Sequence, residues 1–251
     1  MTDYRSIAAN LRDSLKLRIG PIAICFSDTV PNGIPHHAGK VPAGCVFWEQ
    51  AAVSAFATSA TDHDLCAIGV YTHNLAHPSP RYTGELTSVL QVMAGMEYVR
   101  EEDIAKIPVR KAPANHVIYA PLAETPLPPD VVLVFASARQ GLVITEAIQQ
   151  VEPGLPPALG RPACAVVPQA INSGHAAMSL GCCGARAYLD ALSDDIALWA
   201  FPGGRIAAYA EGISKLAKAN EVLGHFHDLR RADVAAGKDP TYAESLARAK
   251  T

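Results

Sequence analysis

Four short, unbroken apolar runs frame this chain: Ile22-Ala23-Ile24-Cys25-Phe26, Val117-Ile118-Tyr119-Ala120, Val131-Val132-Leu133-Val134-Phe135 and Ile196-Ala197-Leu198-Trp199-Ala200-Phe201. Turn-forming residues such as Gly20-Pro21 and Pro202-Gly203-Gly204 punctuate them, and runs of this length between such signals read as buried strands. Gly160 to Pro168, bounded by prolines, reads as a fifth. The second and third runs are joined through Pro126-Leu127-Pro128-Pro129, which suggests a hairpin or neighbouring strands.

Between the runs the spacing of apolar residues changes to three and four, the period of a helix with one buried face. Ile7, Leu11 and Leu15 mark a helix over 2–18, and Val46 to Phe56 a second. Leu86, Val89, Leu90, Met93 and Met96 mark one over 84–98, with its methionines in the core. Ala185 to Leu192 gives another, and a long helix runs from about Arg205 to about Ala236, interrupted at Asn220, whose amide is assigned a structural role. The pattern predicts one α+β domain over 1–236, a mixed sheet packed with helices, ending in the long helix, followed by a polar, loosely held tail over 237–251. A weak repeat aligns Asp130-Val-Val-Leu133 through Ile148 with Asp195-Ile-Ala-Leu198 through Ile213. With so few identities it is taken as coincidence of a common motif.

Charge narrows the function classes. The formal net charge is -3, and 18% of residues are charged. The basic residues are scattered rather than gathered into a phosphate-binding groove, so nucleic acid is not an expected partner. No apolar run reaches the roughly 20 residues of a membrane span, and the first residues lack the pattern of an export signal. A soluble, cytoplasmic protein is expected, with a small molecule as its partner and a homo-oligomer as one possibility.

Six cysteines in such a chain are not a disulfide framework, because the cytosol keeps thiols reduced. Ser179-Leu180-Gly181-Cys182-Cys183-Gly184 places two thiols in a glycine-flanked turn ahead of a helix, where free N–H groups and the positive dipole end favour thiolate. Gly44-Cys45 before the Val46 helix repeats the arrangement, and Cys66 lies in a third glycine-adjacent segment, Cys66-Ala67-Ile68-Gly69. Cys25 reads as a small buried hydrophobe. Cys164 reads as buried too, with a fourth metal ligand as the alternative. His63, His73 and His77 near Cys66 raise mononuclear zinc as a minor option, although their spacing fits no paired zinc pattern.

Together with Gly160-Arg161-Pro162-Ala163-Cys164, Ala187-Tyr188, Ala219-Asn220, His227 and Arg230, these segments resemble, over nearly the whole length, domain-of-unknown-function family 169, the uncharacterised ArCR family. The resemblance implies that the cysteines are motif positions, with Cys182 rather than Cys183 as the motif thiol, and it brings no activity with it.

Soft thiolates that are far apart in sequence fit an iron–sulfur cluster held across a fold better than a zinc knuckle. The expected cofactor is a [4Fe-4S] cluster bound by Cys45, Cys66 and Cys182. Three ligands would leave one iron open to act as a Lewis acid on a small carboxylate- or sulfur-containing substrate, in a lyase, hydratase or desulfidase reaction. Cys164 as a fourth ligand would close the cluster and point to electron transfer, sensing or support. Arg186 as a carboxylate fork and His73 are the candidate catalytic residues, with Asn74 and Arg81 nearby but more simply read as capping or surface groups. Two metal-free alternatives stand beside these: a small-molecule-binding or regulatory protein with structural cysteines, and thiol catalysis by Cys182 with a histidine base.

Overall fold

The structure, a computed structural model, describes residues 2–250. In chain order it runs α1 (Tyr4–Leu15), β1 (Ile22–Ser27), α2 (Val46–Ala51), β2 (Phe56–Ser59), α3 (Ala67–His73), α4 (Tyr82–Gly95), α5 (Glu101–Ile104), β3 (His116–Pro121), β4 (Val131–Ser137) and α6 (Ala138–Val151). It continues through β5 (Ala158–Leu159), α7 (Val166–Ser173), β6 (Ala177–Ser179), α8 (Cys183–Tyr188), β7 (Ile196–Pro202), α9 (Ile206–Ala235) and α10 (Tyr242–Ala249).

The strands form one mixed seven-stranded sheet in the order β2-β3-β1-β4-β7-β6-β5, antiparallel throughout except for the β5–β6 pair. The fold is α+β, as expected. The apolar runs are unbroken because helices cover both faces of the sheet, so both alternating sets of side chains are buried. Ile22, Ile24, Val131 and Leu133 face α2 and α7, whereas Ala23, Val132 and Val134 face α1, α6 and α9. Each fully buried Val, Leu or Ile contributes about 1.5–3 kcal/mol, so the central strands anchor the whole fold.

Several expectations need correction. The Val117 and Val131 runs are not neighbours, because β1 inserts between β3 and β4. The stretch from Gly160 to Pro168 is not a strand; a 3-10 turn over Ala163–Ala165 leads into α7, and Pro168 sits in the first helical turn, where its missing N–H is not needed. Helix α8 stops at Tyr188, short of Leu192. No residue of α4 is buried, and Met96 is 62% exposed, so its methionines are not core.

The tail is not loose either. After Gly237 the chain forms α10, capped by Thr241, with Tyr242 stacked on Phe226 and Arg248 and Lys238 paired with the buried Asp233 of α9. Asn220 has the structural role assigned to it, donating to Glu146 of α6 at 2.8 Å. The two segments that the weak repeat aligns lie side by side. In the β4–β7 pairing Val134 lies opposite Trp199, the same two positions that the repeat equates, and α6 packs on α9.

Candidate functional site

The cysteines far apart in sequence are brought together by helix starts. Cys45, Cys66 and Cys182 are the N-cap residues of α2, α3 and α8, and Cys164 lies in the 3-10 turn that leads into α7. All four line one cavity of about 730 Å³, together with His73, the underside of α4 and the exposed Cys183. The floor belongs to the sheet-packed helices, which fixes the thiols. The roof is α4, which buries nothing of its own.

Glycines make room for the sulfur atoms. A Cβ built on Gly69 would fall 3.0 Å from Cys66 Sγ, and one on Gly44 would fall 3.8 Å from it. The backbone N–H groups of both glycines donate to Cys66 Sγ. N–H donors on sulfur are the groups that tune thiolate ligands. Thr72 bonds Cys164 through its side chain.

Without a counter-charge Cys45, Cys66 and Cys164 stay protonated. Burial first, then the neighbouring Cys66 and Cys182, push the Cys45 thiol up to about 12. Burial also raises Cys66, against the N–H bonds from Gly44 and Gly69, and raises Cys164 well above the ordinary thiol value, with Cys66 adding to it. A cation bound among them would reverse this, because metal binding displaces the protons.

Buried polar groups around the thiols lack partners. Tyr119 Oη is one, and burial followed by the charges of Cys66, Cys45 and Cys164 raises its phenol well above the ordinary value. His63 accepts or donates to Thr58 through Nε2 at 3.2 Å, while its buried Nδ1 has no partner and shares the space around Gly44 and Gly69 with Cys66 Sγ. His73 is 1% exposed, with both ring nitrogens unpartnered. Burial, aided by His37 at His63 and by His63 and Arg110 at His73, holds both imidazoles down to about 3, so both rings are neutral. An unpaired buried polar group costs about 1–3 kcal/mol, and an acceptor placed among the thiols would relieve it.

Among the described residues no three histidine, cysteine or carboxylate groups stand close enough to hold one metal ion. Of the histidines near Cys66, His77 is exposed.

Arg186 is not a substrate fork. Its guanidinium donates to the carbonyls of Leu180, Leu192, Ser193 and Ile196, which ties the Gly181 turn to the segment before β7 and leaves no free edge. It does not line the cavity. Asn74 is a left-handed C-cap whose amide donates to the Arg110 carbonyl, and Arg81 pairs with Glu85 at 2.7 Å in solvent, the plain roles weighed for both. The sequence reading overlooked Arg161, which lines the cavity, and the roofing role of α4. Cys25 is a buried thiol of β1, away from the group.

No helix among the described residues is long and apolar enough to cross a membrane. No curated protein and no solved structure matches the chain. A family model matches residues 10–212, and on that match the chain belongs to domain-of-unknown-function family 169, the uncharacterised ArCR family.

Proposed function

We propose that this chain holds an iron–sulfur cluster of the four-iron type between Cys45, Cys66, Cys182 and Cys164, and acts with it on a small molecule in the adjoining cavity. The observation that carries the proposal is the convergence of four thiols, each at a helix start, on one cavity. The N–H groups on Cys66 and the unpartnered Tyr119 and His63 support it, since each would be satisfied by sulfide or thiolate. Four cysteines favour a closed cluster, which supplies one-electron chemistry. The size of the cavity beside them keeps the open cluster as the second reading: with Cys164 detached, one iron could polarise a substrate.

The test is anaerobic purification and reconstitution, followed by the visible spectrum with iron and acid-labile sulfide counts. Native protein is expected to be brown with matched iron and sulfide, and Cys45→Ala, Cys66→Ala and Cys182→Ala to lose both. Cys164→Ala distinguishes the two ligation states: loss equal to the others supports the closed cluster, and full retention supports the open one. A native protein that stays colourless and metal-free after reconstitution overturns the proposal.

A further inference from the structure

Beyond the thiols the cavity wall is mainly apolar, formed by Ile68 of α3, Val89, Leu90 and Met93 of α4, and Ile107, with the carboxylates Glu85, Glu97 and Asp103 also lining it. Its cations are exposed and already engaged. Arg100 and Lys106 flank Asp103 at 2.6 and 2.8 Å, and Arg161 lies 4.6 Å over the Tyr98 ring while donating to the Tyr98 carbonyl. Arg186, the one residue that suggested a carboxylate, is occupied elsewhere. Arg161 has no acidic partner among the described residues, so an anion would find that one cation at the exposed rim; deeper in, among apolar side chains and above thiolates, burying a negative charge is unfavourable.

One polar feature of the wall is unused. His73 lines the cavity, is 1% exposed and has a partner on neither ring nitrogen. A neutral imidazole presents one N–H donor and one lone pair, and so matches a group that both accepts and donates. The edge of Phe26, at 5.5 Å, fixes the ring. A cavity of about 730 Å³ is of a size that takes a small organic molecule, and a cluster fills only part of it.

We propose that the cavity binds an uncharged, mainly apolar small molecule whose single hydroxyl or amide group is held by His73. The proposal rests on the cluster reading for the negative floor, while the apolar wall and His73 are independent of it. It replaces a carboxylate substrate with a neutral one.

The test compares 2-naphthol with 2-naphthoate, one body with an uncharged or an anionic group, titrated at neutral pH into the native protein and monitored by fluorescence. Naphthol is expected to bind about tenfold tighter or better, and His73→Phe to lose about tenfold of that affinity, the effect of one buried hydrogen bond. Leu90→Lys, on a helix without buried residues, places a cation in the wall and is expected to turn the preference towards naphthoate; it decides the matter if His73→Phe does not fold. Equal or tighter naphthoate binding to native protein, no binding of either probe, or His73→Phe binding naphthol like native would overturn the proposal. Iron and sulfide are counted on the same samples. A metal-free protein that keeps the naphthol preference refutes the cluster alone.

Discussion

Gly44 and His63 meet so closely that a Cβ built at position 44 would lie 2.5 Å from the imidazole Nδ1 and 3.0 Å from Cε1. The ring is fully buried and bonded to Thr58, so it has little room to retreat. Gly44→Ala should therefore cost about 1–3 kcal/mol, as overpacking does. It should also shift Cys66 Sγ, whose N–H donor is Gly44, and lower the iron content. Denaturant unfolding and iron counts check both effects. Gly84→Ala, where a Cβ meets nothing within 4 Å, is the control and should not destabilise.

The two buried imidazoles predict acid sensitivity of the metal-free protein. Both are held down from 6.5 to about 3, chiefly by burial. Below about 6.5 the unfolded chain takes up protons that the folded rings refuse. The stability from the neutral rings is thus complete above 6.5 and is lost as pH falls towards 3. At pH 5 the loss is on the order of 2 kcal/mol per ring. A His63→Gln, His73→Phe double variant should show a flatter decline of unfolding free energy between pH 6.5 and 4, and parallel curves would refute the assignment.

In the metal-free protein the thiols should react in an order set by exposure and charge. Cys183 is exposed, whereas Cys45 is 9% exposed and its pKa is pushed up to about 12, mainly by burial. Iodoacetamide at pH 8 should modify Cys183 first and leave Cys45 and the buried Cys25 largely intact until the chain unfolds. Peptide mass mapping reads the order. Early labelling of Cys45 would mean that α4 does not cover the cavity.

What the sequence disclosed follows from how local each signal is. The four central strands were readable because burial on both faces removes polar residues from a run, as in Val131 to Phe135, whereas the short outer strands β2, β5 and β6 were not. The cysteine positions were readable because a glycine beside a thiol marks a place where backbone must come close, as Gly69 does to Cys66. The strand order was not readable: β1 enters between β3 and β4 through contacts that no short-range pattern records. In α4 the apolar period was real but its meaning was hidden, since Val89, Leu90 and Met93 face a cavity and not a core. Arg186 looked like a ligand fork because its type and place fit one, and only the fold shows its donors taken up by carbonyls.

That hold on the backbone makes Arg186 a stability residue. Arg186→Ala leaves the carbonyls of Leu180, Leu192 and Ile196 without their donor and should cost about 2–4 kcal/mol. Lysine cannot bridge so many carbonyls at once, so Arg186→Lys should recover only part. Affinity of the folded variants for 2-naphthoate should match native. A selective loss of anion binding with unchanged stability would restore the carboxylate-fork role.

On the opposite face of the sheet, Glu152 after α6 has its side chain 1% exposed and accepts from Arg205 at 2.8 Å and from the Tyr209 hydroxyl, with the Ala176 N–H at 3.4 Å and His175 at 3.3 Å. Arg205 also donates to the carbonyls of Val151 and Gly174, so the cluster joins the end of α6, the end of α7 and the start of α9. Removing one partner of a buried pair leaves the other uncompensated, at about 3–5 kcal/mol. Glu152→Ala should cost nearly that much and Glu152→Gln less, because the amide oxygen still accepts from Tyr209. None of these residues lines the thiol cavity, so the folded fraction of Glu152→Gln should load iron as native protein does. Unfolding free energies with iron counts on both variants separate the outcomes: a Glu152→Gln chain as stable as native would show that the carboxylate charge contributes nothing, and lost iron at retained stability would tie this cluster to the site.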